Sequence, residues 1–119
     1  MQIKTLIKEA HENAVKHGFH DLVNSINGKM LTSDLFTSEE RQAITSAFIS
    51  QKLMLIVGEA SEAMEALRKD DKINFDEEIA DIAIRVADFS GNYGIDLDTE
   101  IRKKMDKNKD RPYKHGKAF

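Results

Sequence analysis

Residues 53–68, LMLIVGEASEAMEALR, begin with the longest apolar run in the chain and continue into regularly spaced glutamates. The apolar positions recur every three or four residues, which predicts a helix. At 100° per residue, Glu59 and Glu62 lie within about 60° of each other and in line with Leu55, on the stripe expected to face the interior. A second apolar stripe, about 130° away by the same helical geometry, predicts contact with a neighbouring subunit as well as an internal core. It consists of Leu53, Ile56, Ala60, Ala63, Met64 and Leu67.

Helical periodicity extends over most of the chain. Thr37 and Glu40 form a capping-box pattern, which predicts that the central helix starts there and runs to about Arg68. Pro112 is the single proline and no segment alternates polar and apolar residues for long, so an all-α protein is expected. The other predicted helices run from Ile3 towards Gly18, from a second capping box at Asn74 and Glu77 to near Gly94, and from Leu97 to about Asn108.

Short connections between these helices favour an antiparallel four-helix bundle, which we expect oligomerisation to complete. Residues 20–36 mix turn-forming residues with scattered apolar ones. This mixture predicts a loop with one short helical turn.

The size and composition exclude several classes of protein. A length of 119 residues, or 13.5 kDa, predicts one domain over residues 1–119, and 40% apolar with 33% charged residues excludes a wholly disordered chain. The longest apolar run stops at Glu59, well short of the roughly 20 residues of a membrane-spanning helix. Charged residues interrupt the N-terminal segment as well, which excludes a secretory signal, and the absence of cysteine excludes disulfides. A cytoplasmic protein is the expectation.

The charge is distributed unevenly along the chain. Residues 101–119 have a net charge of +6, whereas residues 1–100 have a net charge of −9. An acidic body with a basic C-terminal end is compatible with binding a metal ion at one part and a polyanion at the other. Two oppositely charged solvated surfaces would give the same totals.

A second pair of acids repeats the spacing of the first. Glu78 and Asp81 are three residues apart on the third predicted helix, and Arg85 and Asp88 continue the same polar edge. Two such pairs on antiparallel helices can converge and offer hard oxygen ligands suited to Mg²⁺ or Mn²⁺. Without a cation, each close pair of carboxylates would repel by about 1 to 4 kcal/mol. A di-iron site is disfavoured because neither pair is followed by the histidine of a Glu-x-x-His motif.

Glu59-Ala-Ser-Glu62 followed after 15 residues by Glu78-Ile-Ala-Asp81 resembles the signature of the MazG-like nucleoside triphosphate pyrophosphohydrolase superfamily, which is all-α. Residues 53–68 and 104–111 also resemble the blocks around that signature. The resemblance covers residues 48–117, with a weaker likeness at residues 16–19. It implies Mg²⁺-dependent hydrolysis of a nucleoside triphosphate, with a deoxynucleoside favoured, to the monophosphate and pyrophosphate. It implies that Glu59, Glu62, Glu78 and Asp81 are the catalytic metal ligands.

The basic end of the chain supplies candidate phosphate contacts. Lys104 and Asn108 match the Lys-x-x-x-Asn of the resembled superfamily and lie on one helix face. Further positive charge for the phosphates would come from Arg111, Lys114, His115 and Lys117. Arg85 and Asp88 are candidates for supporting the metal ligands. The expected state is a homodimer or homotetramer, with no membrane partner and no nucleic acid.

The sequence alone leaves two other functions open. A helical module could bind nucleic acid or protein through the basic tail, or a relative of the enzymes could bind nucleotides without hydrolysing them.

Several histidines and aromatic residues are interpreted as having no direct role in binding or catalysis. His11, His17 and His20 are interpreted as surface residues, and Phe19 and Tyr93 as core packing in preference to base stacking.

Overall fold

The computed structural model describes all 119 residues and is entirely helical, as predicted. It contains five α-helices and a short terminal 3₁₀ turn. They are α1 (Ile3–Lys16), α2 (Asp21–Leu31), α3 (Ser38–Arg68), α4 (Lys72–Asn92), α5 (Leu97–Lys109) and the turn Tyr113–Gly116.

The start of α3 confirms the predicted capping box. The Thr37 side chain accepts a hydrogen bond from the backbone N–H of Glu40, while the Glu40 carboxylate accepts one from the backbone N–H of Thr37. These bonds satisfy two backbone donors that a helix start leaves free. The helix then runs without interruption to Arg68, the predicted end.

The predicted loop over residues 20–36 is wrong, because α2 occupies most of it. Val23, Ile26 and Met30 follow helical spacing, and Met30 is one of the few buried residues of the chain. Asn24, Asn27 and similar residues favour turns locally, but such propensities are weak, and the helix buries Met30. The chain therefore has five α-helices where the sequence predicts four.

The predicted capping box at Asn74 and Glu77 is also wrong. Helix α4 begins at Lys72, and the Asp71 side chain accepts the capping hydrogen bond from the backbone N–H of Asn74. Asp and Asn are comparable N-cap residues, so the turn that leaves α3 decides between them. That turn is tight: Asp70 adopts a left-handed conformation, with φ of 55°.

Helix α4 is the centre of the fold. It packs against both α3 and α1, while α5 packs mainly on α1. The connection between α3 and α4 is only residues 69–71, so the two helices run antiparallel. The contact with α1 is close at Gly91, where an added Cβ would lie 2.8 Å from the Cβ of His11.

The chain buries little of itself. Only seven residues are buried, and the apolar ones are Met30, Ala63, Ala66 and Ala87. Along α3, large apolar side chains such as Met64 and Leu67 remain more than 60% exposed. Leu53, Met64 and Leu67 of the second stripe remain exposed while Ala63 is buried, so the chain's own helices cover that stripe only in part.

Helix α3 is also long and apolar enough to cross a membrane, by length and composition alone. The longest uninterrupted apolar run, residues 53–58, does not detect this composition, because the apolar residues of α3 are interspersed with polar ones. One such helix is weak evidence for a membrane span, because the core helix of a soluble protein passes the same test. The same helix carries Glu59, which pairs with Arg85 of α4.

We expect Gly91→Ala to destabilise the protein by about 1 to 3 kcal/mol, because the added methyl group overpacks the contact between α1 and α4. Gly28→Ala in α2 is the matched control: its Cβ meets nothing within 4 Å, and removing a helical glycine should stabilise by about 0.5 to 1 kcal/mol. Urea unfolding measures both. Equal stability of the two variants would contradict this packing.

Candidate active site

Three carboxylates converge where α3 and α4 pack together. One oxygen each from Glu59, Glu78 and Asp81 lies within 4.8 Å of the others. Glu59 is buried, Glu78 is half-buried and Asp81 is exposed. The i, i+3 spacing orients Glu78 and Asp81 along one face of α4, and the antiparallel packing brings Glu59 of α3 to that face.

Glu62, the fourth predicted ligand, lies at the edge of this group. Its side chain is exposed, and it is not among the three carboxylates whose oxygens converge. Its charge nevertheless helps to raise the pKa of Glu78. The structure therefore brings three of the predicted ligands together and leaves the fourth beside them.

Glu78 is the acid least satisfied by its surroundings. Its Oε2 atom is buried and has no hydrogen-bond partner. Loss of solvation raises the pKa of Glu78, and the neighbouring carboxylates of Glu59, Glu62 and Asp81 raise it further. A buried carboxylate oxygen without a donor carries a desolvation cost, which a bound cation would offset.

Arg85 supplies the one direct positive charge to this group. Its Nε donates to Oε1 of Glu59, and the Arg85 guanidinium lowers the pKa of that carboxyl. Glu59 therefore remains ionised although it is buried. Glu78 has no positively charged partner. The pKa values of the two glutamates are therefore shifted in opposite directions, down for Glu59 and up for Glu78.

Asp88 does not pair with Arg85. Its Oδ1 accepts hydrogen bonds from His11 Nδ1 at 2.9 Å and from His20 Nε2 at 2.8 Å. The surface interpretation is therefore wrong for His20, which is buried, and His11 is only partly exposed. His17 is exposed, as predicted.

A pocket of about 400 Å³ adjoins the carboxylates between α1, α3 and α4. Glu59, Asp81 and Arg85 line one part of it. The remaining lining includes the aromatic residues Phe19, Phe89 and Tyr93, the amides of Asn13 and Asn92, and Lys52, His20 and Asp88. A mixed aromatic and polar lining next to an anionic group is suited to a small ligand with both a flat and a charged part.

The aromatic residues that line the pocket differ in how exposed they are. Tyr93 is half-buried and packs against Phe89, with ring centroids 4.7 Å apart. Phe19 is 70% exposed at the pocket, so the core-packing interpretation is wrong for it.

The basic residues of the C-terminal end lie apart from the pocket lining in this chain. Lys104 is exposed, whereas Asn108 is half-buried and its Oδ1 is buried without a partner. Arg111 is half-buried after α5. The other three are exposed around the terminal 3₁₀ turn: Lys114, His115 and Lys117.

These features define an all-α protein with a carboxylate site suited to a hard divalent cation, beside a pocket for a small ligand. Residues 49–115, more than half of the chain, match the family model described as the MazG nucleotide pyrophosphohydrolase domain, and the chain belongs to this family. Members of the family are nucleoside triphosphate pyrophosphohydrolases that generally use divalent metals. The chain is therefore an enzyme of this kind. No curated protein and no solved structure matches it.

The opposite pKa shifts predict how stability depends on pH without divalent ions. The raised pKa of Glu78 means that its ionisation costs folding stability at neutral pH, a cost that disappears as pH falls below its unfolded value of about 4.3. Glu78→Gln should therefore raise the melting temperature at pH 7 in EDTA but not at pH 4. Glu77→Gln, on the neighbouring exposed residue, should leave it nearly unchanged.

The lowered pKa of Glu59 has the reverse consequence. Its ion pair stabilises the fold above the unfolded pKa, and this contribution is lost as pH falls through the lower folded pKa. For Glu78, a Glu78→Gln variant that melts below the wild type at pH 7 in EDTA would contradict the claim that ionisation of Glu78 destabilises the fold.

Proposed function

We propose that the enzyme hydrolyses a nucleoside triphosphate, preferably a deoxynucleoside triphosphate, between the α and β phosphates in a Mg²⁺-dependent reaction. The products are the monophosphate and pyrophosphate, and Mn²⁺ can replace Mg²⁺. The observation that carries the proposal is the convergence of three carboxylates, one of them with a buried oxygen that has no donor, beside a pocket of nucleoside size.

The donor set fits a hard cation. Glu59, Glu78 and Asp81 would hold it through carboxylate oxygen, with Glu62 completing the set from the edge of the group. A bound ion would offset phosphate charge and lower the pKa of the attacking water. Arg85 keeps Glu59 ionised and therefore able to act as a ligand.

The pocket would bind the nucleoside. Phe19 offers an exposed ring on which a base can stack, and the amides of Asn13 and Asn92 offer hydrogen bonds to base edges or sugar hydroxyls. Lys52 and Arg85 line the same pocket and would neutralise phosphate oxygens next to the carboxylates.

The basic C-terminal end would contact the phosphates in the assembled enzyme. Lys104, Asn108 and Arg111 do not line the pocket of their own chain, and α5 packs mainly on α1. We therefore assign the phosphate contacts of this end to a homodimer or homotetramer, in which it can approach a neighbouring active site. Lys114, His115 and Lys117 would add positive charge there.

The exposed apolar surface of α3 supports such an assembly. Met64 and Leu67 lie on a face that the chain's own helices leave uncovered. Burying such side chains stabilises by about 1.5 to 3 kcal/mol each, so a second copy on this face would complete the thin core.

We expect pyrophosphate release from deoxynucleoside triphosphates with Mg²⁺, and a loss of kcat of at least about 100-fold in Glu62→Gln and in Asp81→Asn, because each removes negative charge from the proposed metal site. Mg²⁺ should also raise the wild-type melting temperature by binding the folded state, and less so in these variants. Glu65→Gln, on an exposed acid of the same helix as Glu62, is the control. Full activity of Asp81→Asn would overturn the site.

We expect light scattering to give a mass that is a multiple of 13.5 kDa. The double variant Met64→Glu/Leu67→Glu should shift the protein towards the monomer, because two charges on the apolar face oppose its burial. Leu35→Glu, on an exposed residue between α2 and α3, is the control. A monomeric wild type would refute the proposed assembly.

A further inference from the structure

A second cluster of ligand-forming side chains lies away from the three carboxylates. It joins His11 of α1, His20 immediately before α2, and Asp88 of α4. The His11 Nδ1, His20 Nε2 and Asp88 carboxylate atoms all lie within 4.8 Å of one another. Asp88 is 77 positions from His11 and 68 from His20, so only the tertiary packing brings it to the two histidines.

The cluster is well enclosed. The His20 side chain is 4% exposed, Asp88 is 19% exposed and His11 is 30% exposed. The absence of a side chain at Gly91 lets the His11 Cβ pack directly against α4. The two imidazole rings are 5.1 Å apart, and each directs a nitrogen at the same Asp88 oxygen.

We propose that His11, His20 and Asp88 form a second metal site, which takes a borderline divalent transition ion such as Zn²⁺. Two imidazole nitrogens with one carboxylate oxygen suit such ions, whereas Mg²⁺ prefers the oxygen-only set of Glu59, Glu78 and Asp81. The two sites therefore differ in the ion that they select.

Binding requires only a small rearrangement. The ring nitrogens now face Asp88 at hydrogen-bond distance, and ligand atoms around a tetrahedral Zn²⁺ are about 3.3 Å apart for bonds near 2.0 to 2.1 Å. Each facing nitrogen must give up the proton that it now donates to Asp88, and the neutral ring then carries its proton on the opposite nitrogen. Because His20 and Asp88 line the pocket, an ion held by them would be accessible from the pocket to water or a ligand atom.

The ion would also connect three elements of the fold. His11, His20 and Asp88 belong to α1, the segment before α2, and α4, and two hydrogen bonds are the polar contacts that now join them. A bound ion replaces these contacts with metal bonds and stabilises the folded state by mass action. The proposal does not depend on the hydrolytic activity.

Titration of the full chain with Co²⁺ and Zn²⁺, without nucleotide, tests the site. The Glu78→Gln/Asp81→Asn background silences the carboxylate site, and visible Co²⁺ absorption with calorimetry reports binding. We expect one ion per chain, bound at least about tenfold more weakly in His11→Gln, since even loss of a hydrogen-bond partner of a metal ligand costs about 10-fold to 100-fold. Asp88→Asn should weaken binding similarly.

His17→Gln is the matched control, because His17 is exposed and contacts only the carbonyl of Asn13 in its own helix. Circular dichroism checks that His11→Gln remains folded, and NMR of the histidine rings shows whether Zn²⁺ shifts His11 and His20 but not His17. Ion binding that is equal in His11→Gln and His17→Gln, or no stoichiometric binding in the background protein, would overturn the proposal and reduce the cluster to hydrogen bonds between helices.

Discussion

Mutual repulsion among Glu59, Glu78 and Asp81 is the constraint around which the site is built. Close carboxylates repel strongly once solvent is partly removed, and Arg85 compensates only Glu59. Glu78 therefore retains a buried oxygen without a donor and a raised pKa. A divalent cation at this site, as proposed above, would relieve the repulsion, and the family to which the chain belongs generally uses divalent metals.

The small number of buried apolar residues and the position of the site both follow from the packing of α4. Helix α4 divides its faces between α3 and α1, so its polar edge holds the carboxylates at one point and the two histidines through Asp88 at another. Little apolar surface remains for a core, and much of α3 stays exposed. A small enzyme whose central helix carries polar groups needs stabilisation beyond its own apolar core. We therefore expect bound ions and a second copy of the chain to contribute.

Local signals predicted much of the fold. The Thr37 capping box and the end at Arg68 depend on contacts within a few residues, and the structure confirms both. The start of α4 was misassigned because Asp71 and Asn74 are equally good caps in isolation. The predicted loop in place of α2 is wrong because local propensities are weak and the burial of Met30, the one buried residue of that helix, depends on the tertiary structure.

The sequence alone determined the helical class, the family and the i, i+3 spacing of Glu78 and Asp81, because helix geometry converts spacing directly into a shared face. Tertiary structure alone decided that Arg85 pairs with Glu59 and that Asp88 joins His11 and His20. Those partners are 26 to 77 residues apart, and spacing within one helix carries no information about the direction in which another helix approaches.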